Sequence, residues 1–545
     1  MSTKLNIIDT LENSTKKPIV FLMLIGLGGL FLRLVYFPYD IPLLNDAQGY
    51  FWYAVDMSIL NQFPPGYSII NNGWSSLLSV IFQLIDSDSF LDYHNAQRFI
   101  GVIFSVATIF PVYILCSRYF KKSYSLLGAS LFIFEPRLIQ NSFLGTQESL
   151  YVFLIATLLC LFLTNNFKKI YLAFGIIALL ALVRYEGFLM IIPISLVFFI
   201  RFRKQKKDLI KYVVCISIFV LILIPVAYLK NETMGQDGVI SHISAGPKYY
   251  QSTIQENSSE LSNYLYLGTS NLIKYVGWAQ IPSFIIFVPL GMIWVFRSID
   301  HKKITIILTI LIMLIPAFYG YSRDYQEIKY IFALYPVFCI LACFSFKIFL
   351  EKFSKKNLVF ILIICGIITS SIFYLDWKEV DQKRELEVFQ IMSDISQKEI
   401  IVNRDIGEKG NEFSYLHWAR LNDVHEFPIL KKTLPPMKIK YFGYQTNVSG
   451  SGVIGKIPTE LMEINNPSEY FRFAEQIGFT HILIDETNVA STSKHMQIHF
   501  KDIFSNEEKY PFLVKEYDSK ENGYSYHIKL FEIDYNKFNK WSYGE

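Results

Sequence analysis

Long apolar runs separated by short polar connections fill roughly the first 376 of the 545 residues in this chain. They lie near 18–37, 98–117, 123–140, 147–164, 170–186, 187–200, 210–229, 279–296, 304–321, 328–346 and 357–376. Most reach the length that a helix needs to cross ~30 Å of hydrocarbon. None alternates apolar and polar positions at period 2, as a membrane barrel would. The pattern therefore predicts a polytopic α-helical membrane protein with about eleven transmembrane helices. One further stretch, SIINNGWSSLLSVIFQLI at 68–85, is apolar but interrupted by Asn71, Asn72, Trp74 and several serines. That mixture suits a helix lying in the membrane interface.

Charge sets the expected topology. The short connections on one side hold Arg118, Lys121 and Lys122; Lys168 and Lys169; Arg201, Arg203, Lys204, Lys206 and Lys207; Arg297, Lys302 and Lys303; and Lys347, Lys352, Lys355 and Lys356. Basic loops stay in the cytoplasm. Counting 68–85 as one more span would invert every later helix and turn these clusters outward, so that segment is read as a juxtamembrane helix. The N-terminus, with Lys4, Lys16 and Lys17, is then cytoplasmic. The run after it is too long for a signal-peptide core and ends in no A-x-A site, which predicts a retained first helix.

Three outer segments result: 38–97, 230–278, and everything after about Trp377. In the last, SEYFRFAEQIG reads as an amphipathic helix and THILIDE as a strand. KEIIVN reads as another short strand, and YSYHIKLFEI alternates at period 2. The expected division is a transmembrane catalytic domain at 1–376 and an extracytoplasmic α/β domain at 377–545. Asn-x-Ser/Thr triplets at Asn231, Asn257 and Asn447 fall outside on this topology, and one at Asn13 falls inside.

Composition narrows the function. Hydrophobic residues make up 52% of the chain and charged ones 18%, against about 25% charged in soluble domains. The net charge of +4 is modest and its basic residues are spent on topology, so no nucleic-acid partner is expected. All six cysteines lie in apolar runs, which excludes a disulfide framework in the polar segments. There is no GxxxxGK[ST], no GxGxxG and no cytoplasmic domain to hold a nucleotide. Chemistry outside the membrane without ATP or a cytosolic nucleotide sugar needs a donor that the membrane itself presents.

The candidate residues for that chemistry are spread through the chain. Asp46 stands in PLLNDAQGYFWYA, soon after the first span, with Tyr50 four residues on and FPPGY (ending at Tyr67) beyond it. Arg98 opens the next span. EPRLIQNSFLGTQESLYVF carries Glu135 and Arg137 at one end and Glu148 at the other. ALVRYEGFLM carries Arg184 and Glu186, and YSRDYQEIKYIFALYP carries Arg323 and Lys329. Each has a plain alternative. Asp46 alone reads as a solvated loop carboxylate. Glu135 and Arg137 read as an exposed ion pair worth under ~1 kcal/mol. Glu148 reads as acidic charge at a helix N-terminus, and Arg184 as a snorkelling anchor. His495 and His499 sit at i, i+4 with no third ligand and read as a solvated face.

As an ordered set these stretches resemble the GT-C type membrane glycosyltransferases, and within them the protein O-mannosyltransferase and aminoarabinose-transferase branch. An acid followed by Tyr (Asp46, Tyr50), the P-P-x-Y-like FPPGY, the acid opening a later span (Glu148) and the Arg-x-Glu-Gly turn (Arg184, Glu186) carry the likeness. Two positions depart from it. Asn45 stands where relatives often have a second acid, and Lys329-Tyr330 replaces Arg-Tyr.

The resemblance implies transfer of a monosaccharide from a polyprenyl- or dolichyl-phosphate donor to an acceptor hydroxyl at the outer face of the plasma membrane, with inversion. The acceptor class, whether glycan, lipid or protein, stays open. Asp46 would serve as base and Glu148 as its partner. Tyr50, Tyr67, Arg98, Arg137, Arg184, Glu186, Arg323 and Lys329 would bind substrate, with Arg184, Arg323 and Lys329 facing the departing phosphate. Asp46 and Glu148 could instead share a divalent cation, Mg2+ or Mn2+. Three other readings remain at this point, one of them a non-catalytic membrane scaffold that binds through its outer domain. An oligosaccharyltransferase would carry W-W-D after the last helix, where this chain has only HWARLND. A transporter or flippase would show inverted repeats and charge near the midplane.

Overall fold

The computed structural model describes residues 7–14, 16–43, 46–64, 71–87, 90–202, 206–235, 241, 258–297, 299–397, 441–442, 464, 466–476, 481–486 and 494–542. Tyr67, the KEIIVN segment and residues 236–240 and 242–257 of the second outer loop lie outside them. The helices in chain order are α1 (Ile7–Glu12), α2 (Lys17–Val35), α3 (Asp46–Leu60), α4 (Gly73–Phe82), α5 (Phe90–Ala107), α6 (Ile109–Cys116), α7 (Lys122–Ile133), α8 (Pro136–Phe143), α9 (Glu148–Phe162), α10 (Phe167–Val183), α11 (Ile191–Phe202) and α12 (Lys206–Met234). They continue as α13 (Ser258–Ala279), α14 (Phe287–Phe296), α15 (His301–Ser322), α16 (Tyr335–Glu351), α17 (Lys356–Gln397), α18 (Pro467–Gln476), α19 (Lys494–Ser505) and α20 (Tyr535–Ser542). Short 3-10 turns at Tyr185–Met190 and Ile328–Leu334 lead directly into α11 and α16.

Among the described residues, seven helical stretches are long and apolar enough to cross a membrane: Lys17–Val35, Leu91–Cys116, Tyr185–Phe202, Asp208–Thr233, His301–Ser322, Ile328–Glu351 and Lys356–Val388. Each coincides with an expected span. The other four expected spans are shorter or broken. The run at 123–140 divides between α7 and α8, where Pro136 opens the second helix and leaves no N–H to continue the first. The run at 279–296 becomes a turn followed by α14, only 10 residues long. In the 68–85 segment, α4 is a 10-residue helix, about 15 Å at 1.5 Å per residue, half of what a crossing needs.

By the contacts within the chain there are two compact units. One comprises 1–37, 49–84 and 96–377, and the other 38–48, 85–95 and 378–545. The first is a helical bundle whose sequence permits close helix approach. A Cβ placed on Gly291 of α14 would lie 1.9 Å from the Leu341 carbonyl oxygen of α16, so no larger residue fits there without parting the two helices. Arg33, fully buried on α2, donates through Nη1 to the Gly29 and Ile133 carbonyls (both 3.0 Å) and through Nη2 to Ser105 Oγ (2.8 Å). These bonds tie α2 to α5 and α7 and carry a cation into the bundle on dipoles alone.

The second unit holds a four-stranded sheet: β1 (Tyr441–Phe442), β2 (His481–Asp485), β3 (Leu513–Asp518) and β4 (Ile528–Ile533), in the order β1-β2-β4-β3. β1 and β2 are parallel and the other pairs antiparallel, with an irregularity between Lys515 and Tyr517. The period-2 pattern expected of YSYHIKLFEI does not hold on β4, where only Glu532 is exposed. Successive residues of β4 point to opposite faces and all but one are buried, and a strand covered on both faces is free of the alternation. Tyr470 and Phe471 of α18, Phe500 and Ile503 of α19, and Phe538 of α20 close this core together with Ile482, Leu483 and Phe531.

Candidate active site

The site builds up from the turn between α8 and α9. Gly145 takes φ +73°, the left-handed region that glycine enters without a Cβ penalty. Its carbonyl oxygen accepts from Trp74 Nε1 (3.0 Å) and Gln97 Nε2 (2.7 Å). Two residues earlier the Phe143 carbonyl accepts from Arg98 Nε (2.8 Å). Three buried side chains from α4 and α5 thus hold the backbone that launches α9, and Glu148 is the first residue of that helix.

Glu148 is 4% exposed. Its Oε1 receives Arg184 Nη1 at 2.5 Å. Arg184 sits where α10 ends, in extended conformation, and two further donors go to Glu186: Nη2 to Oε1 at 2.8 Å and Nε to Oε2 at 3.3 Å. Gly187 follows because a Cβ there would come 2.6 Å from the Leu180 carbonyl carbon. The Arg-x-Glu-Gly pattern therefore has a steric and an electrostatic reason. Two carboxylates share one guanidinium, so the buried triad carries a formal charge of −1. Breaking such a buried pair by removing one partner costs about 3–5 kcal/mol.

Around the triad stand tyrosines. The Tyr151 ring faces the Arg184 guanidinium at 5.6 Å. Tyr330, on the Ile328–Leu334 turn, interacts electrostatically with both Arg184 and Glu186, and Tyr185 does so with Tyr330 and Tyr319. Tyr321 stacks on Tyr275 at 5.0 Å and meets Tyr330 edge-on at 5.7 Å.

The other expected site residues distribute as follows. Asp46 is the exposed first residue of α3 and belongs to the second unit. Tyr50 is half-buried on the same helix, and its carbonyl accepts from Ser75 Oγ (3.1 Å). Arg98 has its Nε on Phe143. Glu135 and Arg137 do not form the exposed pair that the sequence suggests. Glu135 is fully buried, while Arg137 donates to the Ile281 carbonyl (3.1 Å) and packs over Tyr374 at 5.3 Å. Arg323, exposed after α15, lies over Tyr319 and Tyr325 (5.6 and 5.2 Å) and donates to the Tyr319 hydroxyl (3.2 Å). Lys329 pairs with Glu327. The structure thus brings together Glu148, Arg184 and Glu186. Among the described residues, no three or more His, Cys, Asp or Glu side chains are placed to hold a metal ion.

Four polar atoms lie in this region, Thr146 Oγ1, Gln147 Oε1, Glu148 Oε2 and the Tyr151 hydroxyl, and of their residues the sequence reading singled out Glu148 alone. All are shielded from water, and none has a hydrogen-bond partner among the described residues.

Residues 77–229 match the family described as dolichyl-phosphate-mannose-protein mannosyltransferase. No curated protein sequence matches the chain. Solved structures of the Archaeoglobus fulgidus oligosaccharyltransferase share the fold. The form tethered to an acceptor peptide with an NVT sequon aligns at a TM-score of 0.54 and 13% identity, over 94% of this chain and 74% of that one. The complex of the same enzyme, AglB, with an inhibitory peptide and a dolichol-phosphate gives 0.51 and 12%, over 91% and 72%. The zinc and sulfate complex gives 0.51 and 15%, over 86% and 68%. With helices long and apolar enough to cross a membrane, the chain is an integral membrane protein that shares its fold with these oligosaccharyltransferase structures.

Proposed function

We propose that the chain moves a monosaccharide from a polyprenyl-phosphate carrier to an acceptor hydroxyl at the outer membrane face, with inversion. The observation that carries this reading is the buried Glu148–Arg184–Glu186 triad, in which one Glu148 oxygen is committed to Arg184 and the other, Oε2, has no hydrogen-bond partner among the described residues. The matching family's description supports a lipid-phosphate donor, as does the dolichol-phosphate bound to the archaeal structural neighbour.

In the proposed reaction Asp46, the acid that the sequence assigns as base, takes the proton of the acceptor hydroxyl. The acceptor oxygen bonds to the anomeric carbon as the bond from that carbon to the phosphate oxygen breaks. The electron pair leaves on the lipid phosphate, already a weak base, so no general acid is needed. Arg184 has its donors on two carboxylates within a net negative triad, which ill suits it to a phosphate. It is a positioning residue for Glu148, and the cations assigned to the leaving phosphate are Arg323 and Lys329. No step is routed through a metal.

The test uses the purified full-length protein with a radiolabelled polyprenyl-phosphate hexose and crude membranes as acceptor source. The expected result is label transfer that falls at least a hundredfold in Asp46→Asn and in Glu148→Gln. Full transfer by Asp46→Asn sinks the base assignment. A wild-type protein that neither transfers nor binds any hexose donor sinks the whole reading. A second reading, transfer of an entire oligosaccharide, draws on the fold shared with the archaeal enzyme. It would show as transfer from a lipid-linked oligosaccharide and none from the monosaccharide donors.

A further inference from the structure

Helix α15 ends on a residue that its backbone does not favour. Asp324 takes φ +61°, in the left-handed region that a side chain enters at a cost. The bonds around it close the helix: the Tyr325 N–H donates to the Gly320 carbonyl and the Asp324 N–H to the Tyr321 carbonyl, both at 3.1 Å. Glycine is the usual residue at that position of a helix end. A plain cap would be served best by glycine, and a disfavoured conformation held by its surroundings points to a function.

The surroundings reach Asp324 from α13. Asn271, 7% exposed, donates through Nδ2 to the Tyr321 carbonyl (3.2 Å) and to Asp324 Oδ1 (3.4 Å). Gln326 Nε2 donates to the same carboxylate oxygen (2.8 Å), while Gln326 Oε1 accepts from Lys274 Nζ (3.2 Å) and the Tyr275 hydroxyl (3.3 Å). The hydroxyl of buried Tyr321 holds the far end of the turn at the Glu327 carbonyl (2.9 Å). The Asp324 carboxylate is the point at which α13 grips the turn.

The turn presents Arg323. The left-handed residue folds the chain back, so that its two neighbours meet: the Arg323 guanidinium lies 5.2 Å from the Tyr325 ring and 5.6 Å from the Tyr319 ring one helical turn earlier. Its Nη1 donates to the Tyr319 hydroxyl (3.2 Å). Arg323 is exposed, so a ligand can reach it. A guanidinium already steadied against two rings gives up less freedom when it meets a phosphate.

We infer that Asp324, gripped by Asn271 and Gln326, is the positioning residue that sets Arg323 for the phosphate of the lipid donor. The inference rests on the proposed function above, in which Arg323 faces that phosphate. The possible roles of Asp324 differ in sign. If it only caps the helix, glycine in its place leaves phosphate binding unchanged. If it is only a nearby charge, its loss strengthens binding of an anion. If it positions Arg323, its loss weakens that binding even though a negative charge has gone.

The experiment measures binding of bare polyprenyl phosphate to the full-length protein in nanodiscs, with the thermal midpoint of each variant as a check of folding. Arg323→Ala is expected to lose about tenfold in affinity. Asp324→Gly should lose about fivefold while keeping the wild-type midpoint, and should cost nothing more when added to Arg323→Ala. Asp324→Asn keeps an accepting oxygen and tolerates the left-handed backbone, so it should bind as well as wild type. Gln326→Ala, at an exposed position outside the helix, should lose about threefold by the same route, and it decides the matter if Asp324→Gly melts early. Unchanged or tighter binding by Asp324→Gly, or a further loss in the Arg323→Ala background, overturns the positioning role and leaves the donor reading intact. Undiminished binding by Arg323→Ala removes Arg323 from the phosphate and the inference with it. A wild-type protein that binds no polyprenyl phosphate overturns the donor reading itself.

Discussion

The two units handle buried charge in opposite ways. In the sheet-bearing unit, buried and half-buried charges find their partners within the unit. Lys529 on β4 is capped by Glu507 (2.5 Å) and the Phe504 carbonyl (2.7 Å). His527 meets Asp518 at 2.8 Å, and Glu387 accepts from Ser525 Oγ and the Tyr526 N–H. In the helical unit the Glu148–Arg184–Glu186 triad is over-supplied with carboxylate, and the helix face beside it is left with open valences. A closed network specifies a fold. An incomplete one carries a cost that folding alone does not explain. The difference teaches which charged cluster to follow toward function, and it can be broken experimentally.

The largest effect belongs to Arg184. Arg184→Met leaves two buried carboxylates facing each other without a cation. The expected cost is about 3–5 kcal/mol, seen as a large drop in thermal midpoint and in the fraction recovered monodisperse from detergent. The double change Arg184→Met with Glu186→Met should recover part of this loss, because one uncompensated charge is gone. If the single variant melts with the wild type, the triad is not a structural unit and the contrast between the two units fails.

Next comes pH, which acts on the sheet-bearing unit. His481, the first residue of β2, is 4% exposed and contacts Glu516 at 3.1 Å. Burial lowers its pKa to about 4, with Glu532 pulling weakly the other way. The folded value lies below the unfolded one of about 6.5. As pH falls, the unfolded chain therefore takes up the proton first. The stability is fully present above pH 6.5 and is lost between about 6.5 and 4, by at most about 3 kcal/mol. Hydrogen exchange at the amides of β2 and β4, followed from pH 7 to 4.5, should show protection falling in that window. In His481→Gln the fall should be absent.

Gly145→Ala tests the frame under Glu148. Alanine at φ +73° costs about 1–2 kcal/mol, and any relief of that strain shifts the carbonyl that Trp74 and Gln97 hold. The expected outcome is a modest fall in thermal midpoint together with weaker binding of a sugar-bearing polyprenyl phosphate. A fall in stability with unchanged binding would show that the start of α9 tolerates movement.

Much of this could be read in the sequence, and the limits have physical causes. The seven long spans are continuous apolar runs, and such a run states its own length. The runs at 123–140 and 279–296 failed as single helices because hydropathy does not see that Pro136 opens a new helix or that residues 280–286 turn before α14. Glu148, Arg184 and Glu186 were legible as individuals, since each is an ionisable residue at the end of an apolar run. That they share one hydrogen-bond network was not, because Arg184 lies 36 residues from Glu148 and only the return of α10 beside α9 joins them. Arg98 shows the converse. A buried arginine reads as a ligand-binding group until its carbonyl partner, Phe143, is seen. Gln147 and Tyr151 were passed over because a neutral polar residue carries no charge signal, and the absence of a partner is visible only once the neighbours are in place.

The smallest effect completes the comparison from the other side. Lys515 on β3 is surrounded by three carboxylates: Glu521 at 3.0 Å, Glu507 at 3.5 Å and Asp518 at 3.7 Å. They raise its pKa, with the Glu521 contact first among the causes. Counted by contacts, it rivals Arg184. Its side chain is 33% exposed, however, and that of Glu521 66%, so water and salt screen the attraction. Exposed pairs are worth ~0.2–1 kcal/mol, and here the three acids also have Lys529, His527 and solvent to turn to. Lys515→Met should therefore lower the thermal midpoint of the sheet-bearing unit by no more than about a degree or two, with the difference shrinking further in 0.5 M salt. A loss comparable to that of Arg184→Met would mean that the number of partners, and not their burial, sets the worth of a charge cluster in this protein.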